Sequence, residues 1–129
     1  MKNQKQPTSS ELEILDILWE RKTATVREVF DDLNAKRATT YTTVLKFLQI
    51  MQEKGLVKRD ETSKAHVYQP AESQAAMQRK LVGSLIDRAF RGSALNLVQH
   101  VLESKPATRE ELDAIRRLID EAESKGDTK

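Results

Sequence analysis

The stretch ATTYTTVLKFLQIMQEKG, Ala38 to Gly55, decides how the first half of the chain folds. Val44, Phe47, Leu48 and Met51 recur at three- and four-residue spacing, which gives a helix one apolar face, and Gly55 supplies its C-terminal stop. Threonine is β-branched and only a modest helix former, yet Thr39, Thr40, Thr42 and Thr43 crowd the start. Thr40 serves as N-cap, so the spacing predicts a helix running to Lys54. Thr42, Thr43, Lys46, Gln49 and Ile50 then lie opposite the apolar stripe and face outward.

Working outward from this helix, the pattern S/T-x-x-E recurs at Thr8-Glu11, Thr25-Glu28 and Thr108-Glu111. Each is a capping box, in which the hydroxyl takes a first-turn N–H while the glutamate reaches back to the cap's own N–H. The first opens a helix over Ser9 to Arg21 with Leu12, Leu15, Leu18 and a core Trp19 on one face. A Thr23-Ala24 link leads to a short second helix, Val26 to Asn34, carrying Val29, Phe30 and Leu33. After Gly55 the period changes. Leu56 to Asp60 and Ala65 to Gln69 are β-prone, with a polar Glu61-Thr62-Ser63-Lys64 tip between them and Pro70 behind, which predicts a β-hairpin.

Three helices and a hairpin, the last two helices joined by a short turn, make a winged helix-turn-helix. In that layout the third helix enters the DNA major groove with its first residues at base edges, and the wing follows the backbone. Short hydroxyl side chains at the helix start permit close approach, hydrogen-bond phosphate or bases, and offer a methyl to thymine. Lys46, a turn further in, reaches a guanine edge or a phosphate. Tyr41 either packs under the helix or touches a phosphate. The expected DNA-binding set is Arg37, Thr40, Tyr41, Thr42, Thr43, Lys46, Gln49, Lys58, Arg59 and Lys64.

Charge supports that set. The whole chain carries only +2, but between Lys36 and Lys64 seven basic residues face three acidic ones, whereas from Ala71 onward ten balance ten. The excess sits where the threonines are. Taken alone it would also describe a solvated face, and wing lysines would also keep an exposed hairpin edge from pairing.

The remaining residues read as helical throughout, and the expected division is a winged-helix domain over 1–70 and a helical dimerisation domain over 71–129. Apolar residues recur in Ala75 to Phe90, in Ser93 to Glu103 and from Thr108 to Glu123, with Gly92 and Pro106 as breaks. Three such helices make a thin core, so their stripes are buried either against a second copy, in a twofold interface, or against the winged helix of the same chain. The residues expected at the dimer face are Leu81, Leu85, Leu97, Val98, Val101, Leu112, Ile115, Leu118 and Ile119. A twofold dimer presents two recognition helices to major grooves one helical turn, or a small multiple, apart, so its operator is a pseudo-palindrome.

ELEILDILWE (11–20), YTTVLKFLQIMQEKGLV (41–57), AHVYQP (65–70) and FRGSALNLV (90–98) resemble the penicillinase-repressor family, BlaI/MecI/CopY, in order along nearly the whole chain. The resemblance implies a homodimeric winged-helix transcriptional repressor whose C-terminal helices intertwine with the partner's. It also implies palindromic promoter operators controlling β-lactam resistance or copper homeostasis genes, and a membrane sensor protease pathway as the inactivating partner. Two departures narrow this. The copper-sensing branch ends in a cysteine-rich hook, and the chain has no cysteine. The β-lactam branch is cleaved in the dimerisation region at an Asn-Phe bond, which aligns here with His100-Val101, so the scissile residues differ. On the recognition helix, Lys46 stands where threonine is frequent and Ile50 where arginine is frequent.

Other classes find little support. Two separated histidines, no cysteine, no Gly-rich phosphate loop and neither H-E-x-x-H nor G-x-S-x-G leave no nucleophile with a base and no metal cluster, so no enzyme, cofactor or metal is expected. No apolar run reaches membrane-spanning length and Met1 to Gln6 is too polar for a signal peptide, which together with the missing cysteines fits a cytoplasmic protein. The rivals to a DNA-binding repressor are a winged helix gated by a small ligand in the dimer interface and one used for protein contact.

Overall fold

The computed structural model describes residues 6–62 and 64–127. Its elements are α1 (Ser9–Arg21), β1 (Ala24–Thr25), α2 (Val26–Lys36), α3 (Tyr41–Lys54), β2 (Val57–Asp60), β3 (Val67–Pro70), α4 (Gln74–Ala89), α5 (Ala94–Ser104) and α6 (Arg109–Asp127). The fold is mainly α with a small antiparallel sheet, as expected.

The helix starts are those the capping boxes mark. Thr8 N donates to Glu11 Oε1 at 2.9 Å while Glu11 N donates to Thr8 Oγ1 at 3.2 Å. The Thr25-Glu28 and Thr108-Glu111 boxes close in the same reciprocal way. α3 ends at Gly55, whose φ of 83° and ψ of 15° are the left-handed conformation that a residue without Cβ adopts most cheaply. α2 runs two residues beyond the expected Asn34, to Lys36.

One expectation is corrected. Ala24, expected in the Thr23-Ala24 link, and Thr25, the cap of α2, form β1 and pair with β3, Ala24 opposite Tyr68 and Thr25 opposite Val67. The sheet therefore has three strands in the order β1-β3-β2. A two-residue strand is too short to show alternation, and it exists because β3 offers it an edge. The second strand begins at Val67, leaving Ala65 and His66 in the connection, and Pro70 lies inside it opposite Val57.

By proximity of the backbone the chain forms two compact units, Met1–Val82 and Gly83–Lys129, where the sequence suggested a boundary at residues 70 and 71. In the first unit Ile14, Leu15 and Leu18 of α1, Val29 and Leu33 of α2, Val44, Leu48 and Met51 of α3, Tyr68 of β3 and Met77 of α4 are all buried. Trp19 is partly buried against this core and donates its indole N–H to the Glu72 carbonyl at 2.9 Å. Glu11 is the one buried charged residue among those described; its Oε1 also accepts from Lys54 Nζ at 2.8 Å, so α3 is tied at its end to the start of α1. In the second unit no described side chain is buried. Leu95 is 78% exposed, and Val98, Val101, Leu102, Leu118 and Ile119 are also open.

Candidate nucleic-acid interface

The interface is built on α2, the turn after it and α3. Four residues, 37–40, separate the helices, and Asn34 Oδ1 accepts from Thr39 N at 3.1 Å, which holds the turn closed. Thr40 Oγ1 accepts from Thr43 N at 3.1 Å and donates to Thr43 Oγ1 at 2.9 Å. Thr40 is thus the cap that the sequence predicts, and it also orients the neighbouring hydroxyl.

Thr42, Thr43, Lys46, Gln49 and Ile50 are all exposed, while Val44, Leu48 and Met51 are buried beneath them. From Leu33 to Gln52 the chain has no acidic residue. Lys46, and on the wing Lys58 and Lys64, make no ion pair with a described residue.

The two arginines of the expected set are placed differently from the lysines. Arg37 Nη2 donates to Glu13 Oε1 at 2.7 Å, and that hydrogen bond holds the Glu13 carboxyl below its usual range. Arg59, opposite Tyr68 across the wing, is held by the Tyr68 hydroxyl and by Glu61, and both raise its value. Each guanidinium is exposed or partly so but already carries a partner. At the wing tip Asp60 Oδ1 accepts from Thr62 N at 2.9 Å and from Thr62 Oγ1 at 2.8 Å, which closes the turn and lowers the Asp60 value.

Tyr41 does pack, in part. Its ring meets Phe30 edge-on at 6.1 Å, the Arg27 guanidinium lies 5.3 Å from its centroid, and it stays 41% exposed. Sequence reasoning missed Arg27. The signal was present in the spacing of Arg27 and Phe30, one turn apart on the helix that precedes α3.

This arrangement has counterparts among known proteins. The chain matches the family described as Penicillinase repressor over residues 7–121. The chain belongs to the penicillinase repressor family. That is a family of transcriptional repressors and not of enzymes. The transcriptional regulator BlaI of Mycobacterium tuberculosis (strain CDC 1551 / Oshkosh) is 34% identical over 113 residues, covering 86% of this chain and 80% of that protein. The methicillin resistance regulatory protein MecI of Mammaliicoccus sciuri is 20% identical over 112 residues, 87% of this chain and 91% of its own. The solution structure of the DNA binding domain of the repressor BlaI superposes with a TM-score of 0.51 at 23% identity, over 58% of this chain and 92% of that one, which shows the shared fold.

The residues expected at a dimer face fall on all three C-terminal helices. Leu81 packs, partly buried, on the winged-helix core of its own chain. Leu85, Val98, Val101, Leu118 and Ile119 are exposed, and Leu97, Leu112 and Ile115 are half-buried. At the expected cleavage region, His100 and Val101 lie within α5; the His100 ring is 5.7 Å from Phe90, and its carbonyl accepts from Ser104 Oγ. Among the described residues there is no acidic, histidine or cysteine cluster able to hold a metal, and no helix is long and apolar enough to cross a membrane.

Proposed function

We propose that the protein is a homodimeric, cytoplasmic repressor that binds a palindromic operator through α3, in promoters of β-lactam resistance or related stress genes. The observation that carries the reading is the outward face of α3: hydroxyls, an amide and an unpaired lysine at a helix start, with no carboxylate for twenty residues around it. Thr42, Thr43, Lys46 and Gln49 meet base edges, and Lys58 and Lys64 meet phosphates. The absence of any buried side chain among the described residues of the second unit supports the dimer. Helices with open leucine and valine faces are stabilised by burying them on a second copy.

The test is a selection of bound duplexes from random DNA, followed by titration of Lys46→Ala and Thr43→Val on the recovered sequence. Both substitutions should lower affinity and relax base preference at one position each, by about 1–3 kcal/mol per lost base contact. Unchanged affinity and preference in both would refute the assignment of α3 as the reading helix.

A further inference from the structure

The structure points to a DNA-backbone contact outside the recognition helix. We propose that Arg27, laid over Tyr41 and Phe30, is a phosphate clamp that fixes how α3 enters the groove. The proposal rests on the DNA-binding reading above and adds a residue to it from the preceding helix.

Four observations converge. The Arg27 guanidinium lies 5.3 Å from the Tyr41 ring centroid and 5.5 Å from that of Phe30, so the cation is held over the aromatic pair instead of swinging on its stem. The two rings are inclined at 61° and contact the cation without accepting all of its five N–H donors, so donors remain for a planar or tetrahedral anion. Tyr41 is the first residue of α3, so the held cation stands at the start of the recognition helix, where the helix dipole also favours a negative group. Finally, the neighbouring arginines are already matched: Arg21 with Asp32 and Glu28, Arg37 with Glu13, Arg59 with Glu61. Arg27 has no carboxylate partner among the described residues. Glu28 beside it is engaged at once with the Thr25 N–H and with Arg21. A positioned, uncompensated arginine exposed at the junction of two helices fits a backbone phosphate beside the major groove. Base readout is the task of the α3 face itself.

The geometry also ties affinity to orientation. A phosphate bound at Arg27 is held relative to Tyr41, two residues from Thr43, so it sets the depth at which the threonines meet the bases.

The experiment measures binding of the full-length chain to two short duplexes as a function of salt. One is a duplex of arbitrary sequence and the other is recovered by the wild-type chain from a random pool. R27Q should weaken both about equally, by about tenfold, and should flatten the slope of log affinity against log salt by about 0.9, the signature of one lost phosphate. Melting temperatures are recorded alongside. An affinity loss with the salt slope unchanged, with or without a lower melting temperature, assigns Arg27 to packing and overturns the clamp. So does a loss confined to the selected duplex. If the wild-type chain binds neither duplex, the DNA-binding reading itself fails and takes the clamp with it, an outcome distinct from failure at Arg27 alone.

Discussion

Replacing Lys54 with methionine tests the tie that holds the end of α3 to the start of α1. Glu11 is 2% exposed, and its carboxylate has two partners, the Thr8 N–H at 2.9 Å and Lys54 Nζ at 2.8 Å. The methionine keeps most of the stem packing and removes only the cation, so a buried carboxylate is left with one backbone donor. Breaking a fully buried pair costs about 3–5 kcal/mol, and the Lys54 side chain is 28% exposed. Water can therefore reach part of the site, and the expected loss is about 2 kcal/mol. For a unit of this size that corresponds to a fall in melting temperature on the order of 10 °C. Glu11→Gln retains an acceptor for Thr8 and should cost about half as much. The double substitution should cost less than the sum of the two, because each removes the penalty that the other creates. Urea titration of all three chains decides it. A Lys54→Met chain within about 0.5 kcal/mol of wild type would show that the carboxylate does not depend on the lysine. Its binding to a selected duplex below the transition should match wild type, since the outward face of α3 is untouched.

Further outcomes follow from single features. Leu118, 62% exposed on α6, should convert the protein to monomer when changed to aspartate, and sedimentation showing an intact dimer would remove α6 from the interface. Gly55→Ala should cost about 1–2 kcal/mol in chemical denaturation. A Cβ there meets nothing within 4 Å, so the cost is the positive φ alone, and a neutral result would contradict that conformation. The carboxyls of Asp32, Glu13 and Asp60 are lowered by Arg21, by Arg37 and by the Thr62 N–H, so each binds its proton less readily folded than unfolded. Their stabilisation is complete above the ordinary values of 3.8 and 4.5 and is lost as pH falls through the folded ones; Asp32→Asn should make the acid decline of the urea midpoint shallower. Ile50→Arg should strengthen binding to every duplex and steepen the salt slope by about 0.9, while an unchanged slope would place residue 50 away from phosphate.

Local chemistry made the helix starts of both units legible. Capping boxes are reciprocal bonds between residues three apart, so Thr8-Glu11, Thr25-Glu28 and Thr108-Glu111 mark helix starts without knowledge of the fold. The outward face of α3 was legible for the same reason, since periodicity places Thr42, Thr43 and Lys46 opposite Val44 and Leu48. What escaped depends on partners distant in sequence. β1 exists only because β3, more than forty residues later, lends it an edge. Arg37 looks free until α1 brings Glu13 to it. Arg27 looks like an ordinary surface residue until the turn folds Tyr41 back beside it.

Those long-range pairings change how the interface is to be understood. Counting basic residues suggested a cationic surface built from arginines and lysines alike, yet Arg37 and Arg59 each bring a carboxylate with them. The cations without an ion pair among the described residues around α3 include Lys36, Lys46, Lys58, Lys64 and Arg27. Of these only Arg27 is an arginine, and it is held over two rings. Lysine is a flexible point charge that meets one acceptor at a time, whereas arginine grips a guanine edge through two. If α3 reads bases through Thr42, Thr43, Lys46 and Gln49, as proposed, the set holds no arginine and discriminates less by bidentate pairing to guanine. It relies more on thymine methyls and on the amide of Gln49 against adenine. Selected duplexes should accordingly be rich in A·T pairs under α3, with a guanine confined to the reach of Lys46; an operator with consecutive guanines under Thr42 and Thr43 would contradict this account of how the face reads DNA.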